Sequence, residues 1–480
     1  MGKQESKYKR LGKNTFFVFV GNVGPRLISF ILMPFYTFWL SETDFGIQDI
    51  ISVYSILVIP FITLGLYEAV FVFPKGEDKK KQSLYFSTSI IVIALSETLL
   101  GILFIIIPTQ YLQKILPDRL FDYSTILFWL IIIESFQRVL QSFTRGIDKM
   151  KVYSMTGIVY SVVMLLLALY LIPKWGLNGY WCSLIVADLS SVLYTFISIK
   201  GWNYFCFVTN WKVILKEMLY FSLPLVPNAT MWWIINSINR PILIDNVGLN
   251  GVGLYAVAGK FPSIINIIFS IFFSAFQISA LEEFQDKSFK RFYTNVFKAI
   301  LCIQIIITAI FEVFGELLFQ IFIDDKFLSA VYYLPILCVG VVISNIASYV
   351  GISFTVVKQT KYFLYSTLIG AIIAIIANAY LIPAFGIMGA CISIIISQIG
   401  MSVYRYCKSI KFVNFENVLS IIAQFIIYAF IVLCYYFVSS TLIRNVVVLM
   451  CVAILIVLNK NIIKRMHHSL MARIIKTTSK

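Results

Sequence analysis

Apolar runs of about 20 residues, each closed by a short polar, glycine- or proline-bearing segment, follow one another along the whole chain. A helix needs roughly 20 apolar residues to cross about 30 Å of hydrocarbon. The pattern predicts spans near Thr15–Trp39, Ile47–Phe73, Leu84–Pro108, Tyr123–Phe143, Val152–Pro173 and Leu177–Ile199. A second set follows near Met218–Ile244, Gly251–Ser279, Thr294–Ile323, Val331–Val356, Tyr362–Pro383 and Ile387–Tyr406, and a last pair near Val418–Phe437 and Leu442–Leu458. The expected class is an all-α polytopic membrane protein of about fourteen helices. Composition agrees: of 480 residues 60% are hydrophobic and 13% charged, against about half and a quarter in soluble domains.

The pattern also repeats. Tyr170-Leu-Ile-Pro-Lys-Trp-Gly-Leu-Asn-Gly179 recurs as Tyr380-Leu-Ile-Pro-Ala-Phe-Gly-Ile-Met-Gly389, an offset of 210 residues. Lys151 and Tyr153 match Lys361 and Phe363, while Pro34 and Phe45-Gly46 echo Pro241 and Val252-Gly253 at an offset of 207. One duplication of six spans explains both. Because six is even, the copies share one orientation in the membrane. The expected organisation is a six-span lobe over 1–200, a cytoplasmic linker over 201–217 and a second lobe over 218–411. Two added spans over 412–459 and a basic tail over 460–480 complete it.

Charge sets the orientation. With the N-terminus in the cytoplasm, 29 of the 39 Lys and Arg residues fall on the inner side, including Lys75, Lys79–Lys81 and the tail with His467 and His468. Five fall outside (Lys114, Arg119, Lys174, Lys326, Arg444) and five within spans. The positive-inside rule then puts both termini in the cytoplasm. The net charge of +16 is accounted for by a membrane face next to anionic lipid, so no nucleic acid is called for. The first apolar run is too long for a cleaved secretory signal and is read as a retained span. The eight cysteines are dispersed, with neither metal-ligand nor redox spacing, and are read as small buried hydrophobes.

A charge inside a span is costly and marks a functional candidate. Arg26, Arg240 and Lys260 lie in spans one, seven and eight, corresponding places of the two repeats, and are the expected cationic contacts for an anionic substrate. Glu134 and Arg138, four apart on the fourth span, share a helix face; with Glu68, Glu97 and Asp188 they are candidates for ion coupling or for structural pairing. Gly24 and Pro25 in span one, Pro60 in span two, Pro224 and Pro227 in span seven and Pro262 in span eight interrupt helices, and interrupted helices in matched positions point to a transport site. The sequence contains neither a catalytic histidine constellation nor a phosphate-binding glycine-rich loop, so the chain reads as a carrier without cofactor or metal, not an enzyme.

Leu11-Gly-Lys-Asn-Thr15, the stretch Pro34…Tyr36-Thr…Leu40-Ser…Asp44-Phe-Gly46 and the span layout resemble the bacterial polysaccharide-unit flippases. These are the O-antigen and capsule exporters of the multidrug/oligosaccharidyl-lipid/polysaccharide superfamily. The resemblance implies two six-helix lobes forming a V around a central cavity in the bacterial plasma membrane. It implies as substrate a polyprenyl-pyrophosphate-linked oligosaccharide moved from the inner to the outer leaflet by alternating access, with proton or sodium coupling as a candidate driving force. Membrane lipids and other polysaccharide-assembly membrane proteins are the implied partners. A multidrug or cation antiporter, a lipid II-type flippase and a membrane enzyme of polysaccharide synthesis are the alternatives.

Overall fold

The computed structural model describes residues 21, 24–25, 28–106, 118–206, 211–284, 286, 288–357, 359 and 361–460. Helices dominate, and among the described residues eleven are long and apolar enough to cross a membrane. This is a multi-pass all-α membrane protein. The two longest, Met150–Ile199 and Lys361–Ser409, have 50 and 49 residues, about twice what a bilayer needs.

Each of these two is a pair of spans. The helix breaks at Gly176 (φ 54°, ψ −131°) and at Gly386 (φ 56°, ψ −129°), 210 positions apart in the same left-handed conformation. A β-carbon on Gly179 would stand 2.3 Å from the carbonyl oxygen of Leu171, and one on Gly389 would stand 2.0 Å from that of Leu381. In a continuous helix, positions eight apart are separated by roughly 12 Å. The chain therefore turns back on itself, and the second glycine lets the arms touch at the bend.

The repeat extends to side chains. Ser183 and Ser393 donate to the carbonyls of Gly179 and Gly389 at 2.7 and 2.8 Å. The Thr156–Thr195 hydroxyl contact at 2.7 Å has its counterpart, at the same offset, in Arg405 Nε donating to Ser366 at 2.9 Å. Helices Ser124–Gly146 and Leu334–Val356 match in length and offset.

Several boundaries differ from expectation. The second span is two helices, Glu42–Ile62 and Leu66–Val72, separated where Leu64 and Gly65 both take positive φ. Ser41 and Asp44 close its start as a capping box, which satisfies backbone donors left open at a helix end. The seventh span begins at Trp211, breaks at Leu223–Pro224, resumes as Leu225–Ser237 and runs on to a break at Gly248 (φ 72°). Pro60 lies near the end of its helix, and Pro262 opens the helix Pro262–Glu283 after the turn Gly259–Phe261. Pro227, expected to kink the seventh span, sits in the first turn of Leu225–Ser237, where a missing backbone donor costs nothing. Of the cysteines, Cys302, Cys338, Cys391, Cys434 and Cys451 are buried; Cys182 and Cys407, expected to be buried, are exposed.

By contacts the chain divides into two compact units, 1–240 and 241–480. The division falls inside the seventh span, not at the linker 201–217, because the start of that span is bound to the first unit. Ser222 donates to the Leu64 carbonyl at 2.8 Å and Trp233 Nε1 to the Val53 carbonyl at 2.7 Å. Large apolar side chains stand exposed on many spans, among them Ile105, Leu419 and Phe437 at 79% or more. A lipid-facing surface requires this, because hydrocarbon solvates such side chains and water does not.

Candidate functional site

Within the first unit, three spans present polar side chains at helical spacing toward one cavity of about 320 Å³. Glu134, Gln137 and Gln141 come from Ser124–Gly146, Tyr153, Gly157 and Tyr160 from Met150–Ile199, and Leu184 and Asp188 from the returning arm of that hairpin. Spacings of three, four and seven place each set on a single helix face. Gly21 and Pro25 of the first span complete the wall. Backbone contact makes this possible: a β-carbon on Gly157 would stand 2.4 Å from the Gly21 carbonyl oxygen. Small residues that let membrane helices approach so closely are a common packing device.

The two carboxylates are held differently. Asp188 is 4% exposed and accepts from Gln137 Nε2 at 2.9 Å. The same amide nitrogen donates to Ser191 at 2.7 Å, which fixes the orientation of Gln137. Glu134 accepts from the Ser55 hydroxyl at 3.4 Å, and Arg138 Nη2 stands 3.9 Å from it as a loose ion pair. Two acids, two amides and two phenols face a cavity inside an apolar unit, a lining whose chemistry could hold a small cation or protons.

The duplicated position in the second unit is built differently. Residues 210 positions on from Glu134, Gln137, Gln141 and Asp188 are Ser344, Ala347, Gly351 and Gln398, all uncharged. Arg405 enters instead, 1% exposed, donating to the Ala347 carbonyl at 2.8 Å with its guanidinium 5.1 Å from the centre of the Phe363 ring. A β-carbon on Gly351 would lie 2.8 Å from Phe363 and 3.3 Å from Arg405. One copy thus presents acids to a cavity, and the other fills the place with an arginine.

The other expected residues lie elsewhere. Arg240 closes the first unit and pairs through Nε with Asp49 at 3.0 Å, while its Nη1 donates to Asn239 Oδ1 at 2.9 Å and to the Asn236 carbonyl. Lys260 belongs to the second unit and stands half-buried in the turn before Pro262, its carbonyl accepting from the Ser263 hydroxyl. Arg26 lies outside the described residues, as do His467 and His468; Gly24 and Pro25 are helical, and the Pro25 carbonyl accepts from Ser29 at 2.9 Å. Glu97 is buried on the third span and Glu68 half-buried on Leu66–Val72; neither lines the cavity. Of the cavity-lining residues, the sequence singles out Glu134 and Asp188 as candidates, and Gln137, Gln141, Tyr153 and Tyr160 are not among them. The Glu134–Gln137–Gln141 stripe on an apolar span was the signal available.

Residues 11–281 match the family described as polysaccharide biosynthesis protein. No curated protein matches the chain in sequence. Among solved structures, the inward-closed lipid II flippase MurJ is 16% identical and superposes with a TM-score of 0.67 over 93% of this chain and 99% of that one. An inward-facing multidrug resistance MATE transporter of the MOP superfamily is 15% identical, with a TM-score of 0.64 over 88% and 99%. The Vibrio cholerae MATE transporter VcmN is 14% identical, with a TM-score of 0.56 over 86% and 98%. At these identities the likeness concerns the fold.

Proposed function

We propose that this chain, which belongs to the polysaccharide biosynthesis protein family, is a flippase. Its substrate in this reading is a polyprenyl-pyrophosphate-linked oligosaccharide repeat unit. The unit is carried from the inner to the outer leaflet of the bacterial plasma membrane for O-antigen, capsule or exopolysaccharide assembly. The observation that carries the reading is the family match over 11–281 in a chain built of membrane-spanning helices. In this reading both termini lie in the cytoplasm, which the bias of basic residues supports.

The physical problem is the sugar. Each unpaired hydroxyl drawn into hydrocarbon costs on the order of several kcal/mol, so the head group needs a hydrated protein path while the polyprenyl chain stays in lipid. Alternating access supplies that path. Arg26, Arg240 and Lys260 are the pyrophosphate contacts, and Arg240 exchanges its Asp49 partner for the phosphate. The acidic cavity takes the coupling ion, a proton or sodium, at Glu134 and Asp188. An inside-negative potential adds about 2.3 kcal/mol per 100 mV for each anionic charge moved outward.

The same acidic cavity favours one second reading, an antiporter for organic cations. Expression in a strain lacking its polysaccharide flippase, challenged with a panel of repeat units and of cationic drugs, separates the two. The flippase reading expects surface polysaccharide to return with at least one repeat unit. It also expects that gain to disappear in R240A and K260A with protein still folded in the membrane. Drug resistance without polysaccharide, or full export by both variants, overturns it.

A further inference from the structure

The span Phe289–Phe322 carries two glutamates one turn apart, Glu312 and Glu316, with opposite environments. Glu316 is half exposed and accepts from Arg444 Nη2 of the last span at 3.1 Å. Glu312 is 2% exposed, and neither of its carboxyl oxygens has a hydrogen-bond partner among the described residues. Arg444 is 7% exposed, with its guanidinium 4.8 Å from the centre of the Tyr435 ring. Its Nε is a buried donor with no acceptor among the described residues. Arg444 is also the cation that acts on Glu312. Glu312 and Glu316, four apart, share a helix face, so the guanidinium bound to Glu316 lies along the face that carries Glu312 and keeps a spare donor.

The rest of the surroundings is neutral. Cys338 faces Glu312 from Leu334–Val356, Tyr428, Cys434 and Tyr435 face it from Val418–Phe437, and Cys451 from Thr441–Leu458. The Thr308 hydroxyl, one turn earlier on the same helix, lies 3.4 Å from that of Tyr428. Phe261, just before the helix Pro262–Glu283, stacks on Phe319, and that helix has no titratable residue between Pro262 and Leu281. The turn Asp325–Tyr333 brings Tyr332 against Tyr436, and its Lys326 stands 3.7 Å from Asp324. An ionised carboxylate here would have lost its water without gaining a donor, the costly case of burial. A metal ion fits poorly beside a guanidinium, and no group of three metal-ligating side chains occurs among the described residues. The proton is the ligand that fits.

We propose that Glu312 is a proton-binding site, holding its proton while Arg444 pairs with Glu316 and releasing it to water when the guanidinium turns inward to the Glu312 carboxylate. The exchange moves the grip of the last span by one turn along the span that carries both glutamates, so the docking of the terminal pair becomes linked to pH. Neither the site nor its test depends on what the chain transports.

Infrared difference spectroscopy of the full-length protein in lipid, titrated from acid to alkaline pH, reads the proton directly. The expected result is a protonated-carboxyl carbonyl band that disappears with rising pH, is absent from E312Q, persists in E316Q and shifts in frequency in E312D. In R444Q the loss should move to higher pH, because the cation that favours the carboxylate is gone. Coincident spectra for the wild type, E312Q and E312D across the titration would overturn the site. A titration unmoved in R444Q would overturn the exchange with Arg444.

Discussion

At the scale of single residues, the most informative contrast lies between acids that face a cavity and acids that do not. Asp188 and Glu134 share a cavity with two glutamines and two tyrosines, while Glu97, also on an apolar span and buried, does not line it. If the cavity holds the coupling ion, D188N should abolish the dependence of transport on a proton or sodium gradient while downhill movement continues. E97Q should leave that dependence intact. Flux measured in proteoliposomes with and without each ion gradient decides this, and equal ion dependence in wild type and D188N would remove the cavity from the coupling mechanism. Arg240 teaches a different lesson. Its depth in an apolar run was visible in the sequence, but its partner Asp49 lies 191 positions away, and no local pattern announces so remote a pairing.

At the scale of elements, the hairpin is the unit that was duplicated. Its motif was legible because every part has a local cause: proline near the end of the arm, a glycine with positive φ at the bend, a second glycine where the arms meet. The structural cost of altering it is specific. In G389A the new β-carbon would lie 2.0 Å from a backbone oxygen, whereas in G259A its contacts would begin at 3.5 Å. G389A should therefore lower stability by about 1–3 kcal/mol or more and G259A change it little, compared as thermal unfolding in the same detergent. Equal melting of the two variants would mean that the arms do not pack as described. The break at Leu64–Gly65 was less legible, because the apolar run continues through it and the proline that marks this span, Pro60, lies inside Glu42–Ile62 and not at the break. Pro227 misled in the opposite sense, since proline kinks a helix only beyond its first turn, and where that turn begins is decided by the break at Leu223–Pro224.

At the scale of the whole molecule, class and repeat followed from hydropathy and an offset of 210, because in lipid nearly every backbone group must be bonded within its own helix. The function followed less directly. Two copies of one fold have diverged at this place, acidic and hollow in the first unit, occupied by Arg405 in the second. That asymmetry appears only once the helices are folded, because the cavity draws on the first, fourth, fifth and sixth spans together. The central claim is movement of a lipid-linked sugar between leaflets, and the most direct measurement is the leaflet itself. In membranes holding only this chain and a labelled polyprenyl-pyrophosphate oligosaccharide, a reagent confined to the outer side should reach sugar at a rate that rises with the amount of protein. Sugar that stays on the inner side for every repeat unit supplied, at any amount of folded protein, would contradict the account.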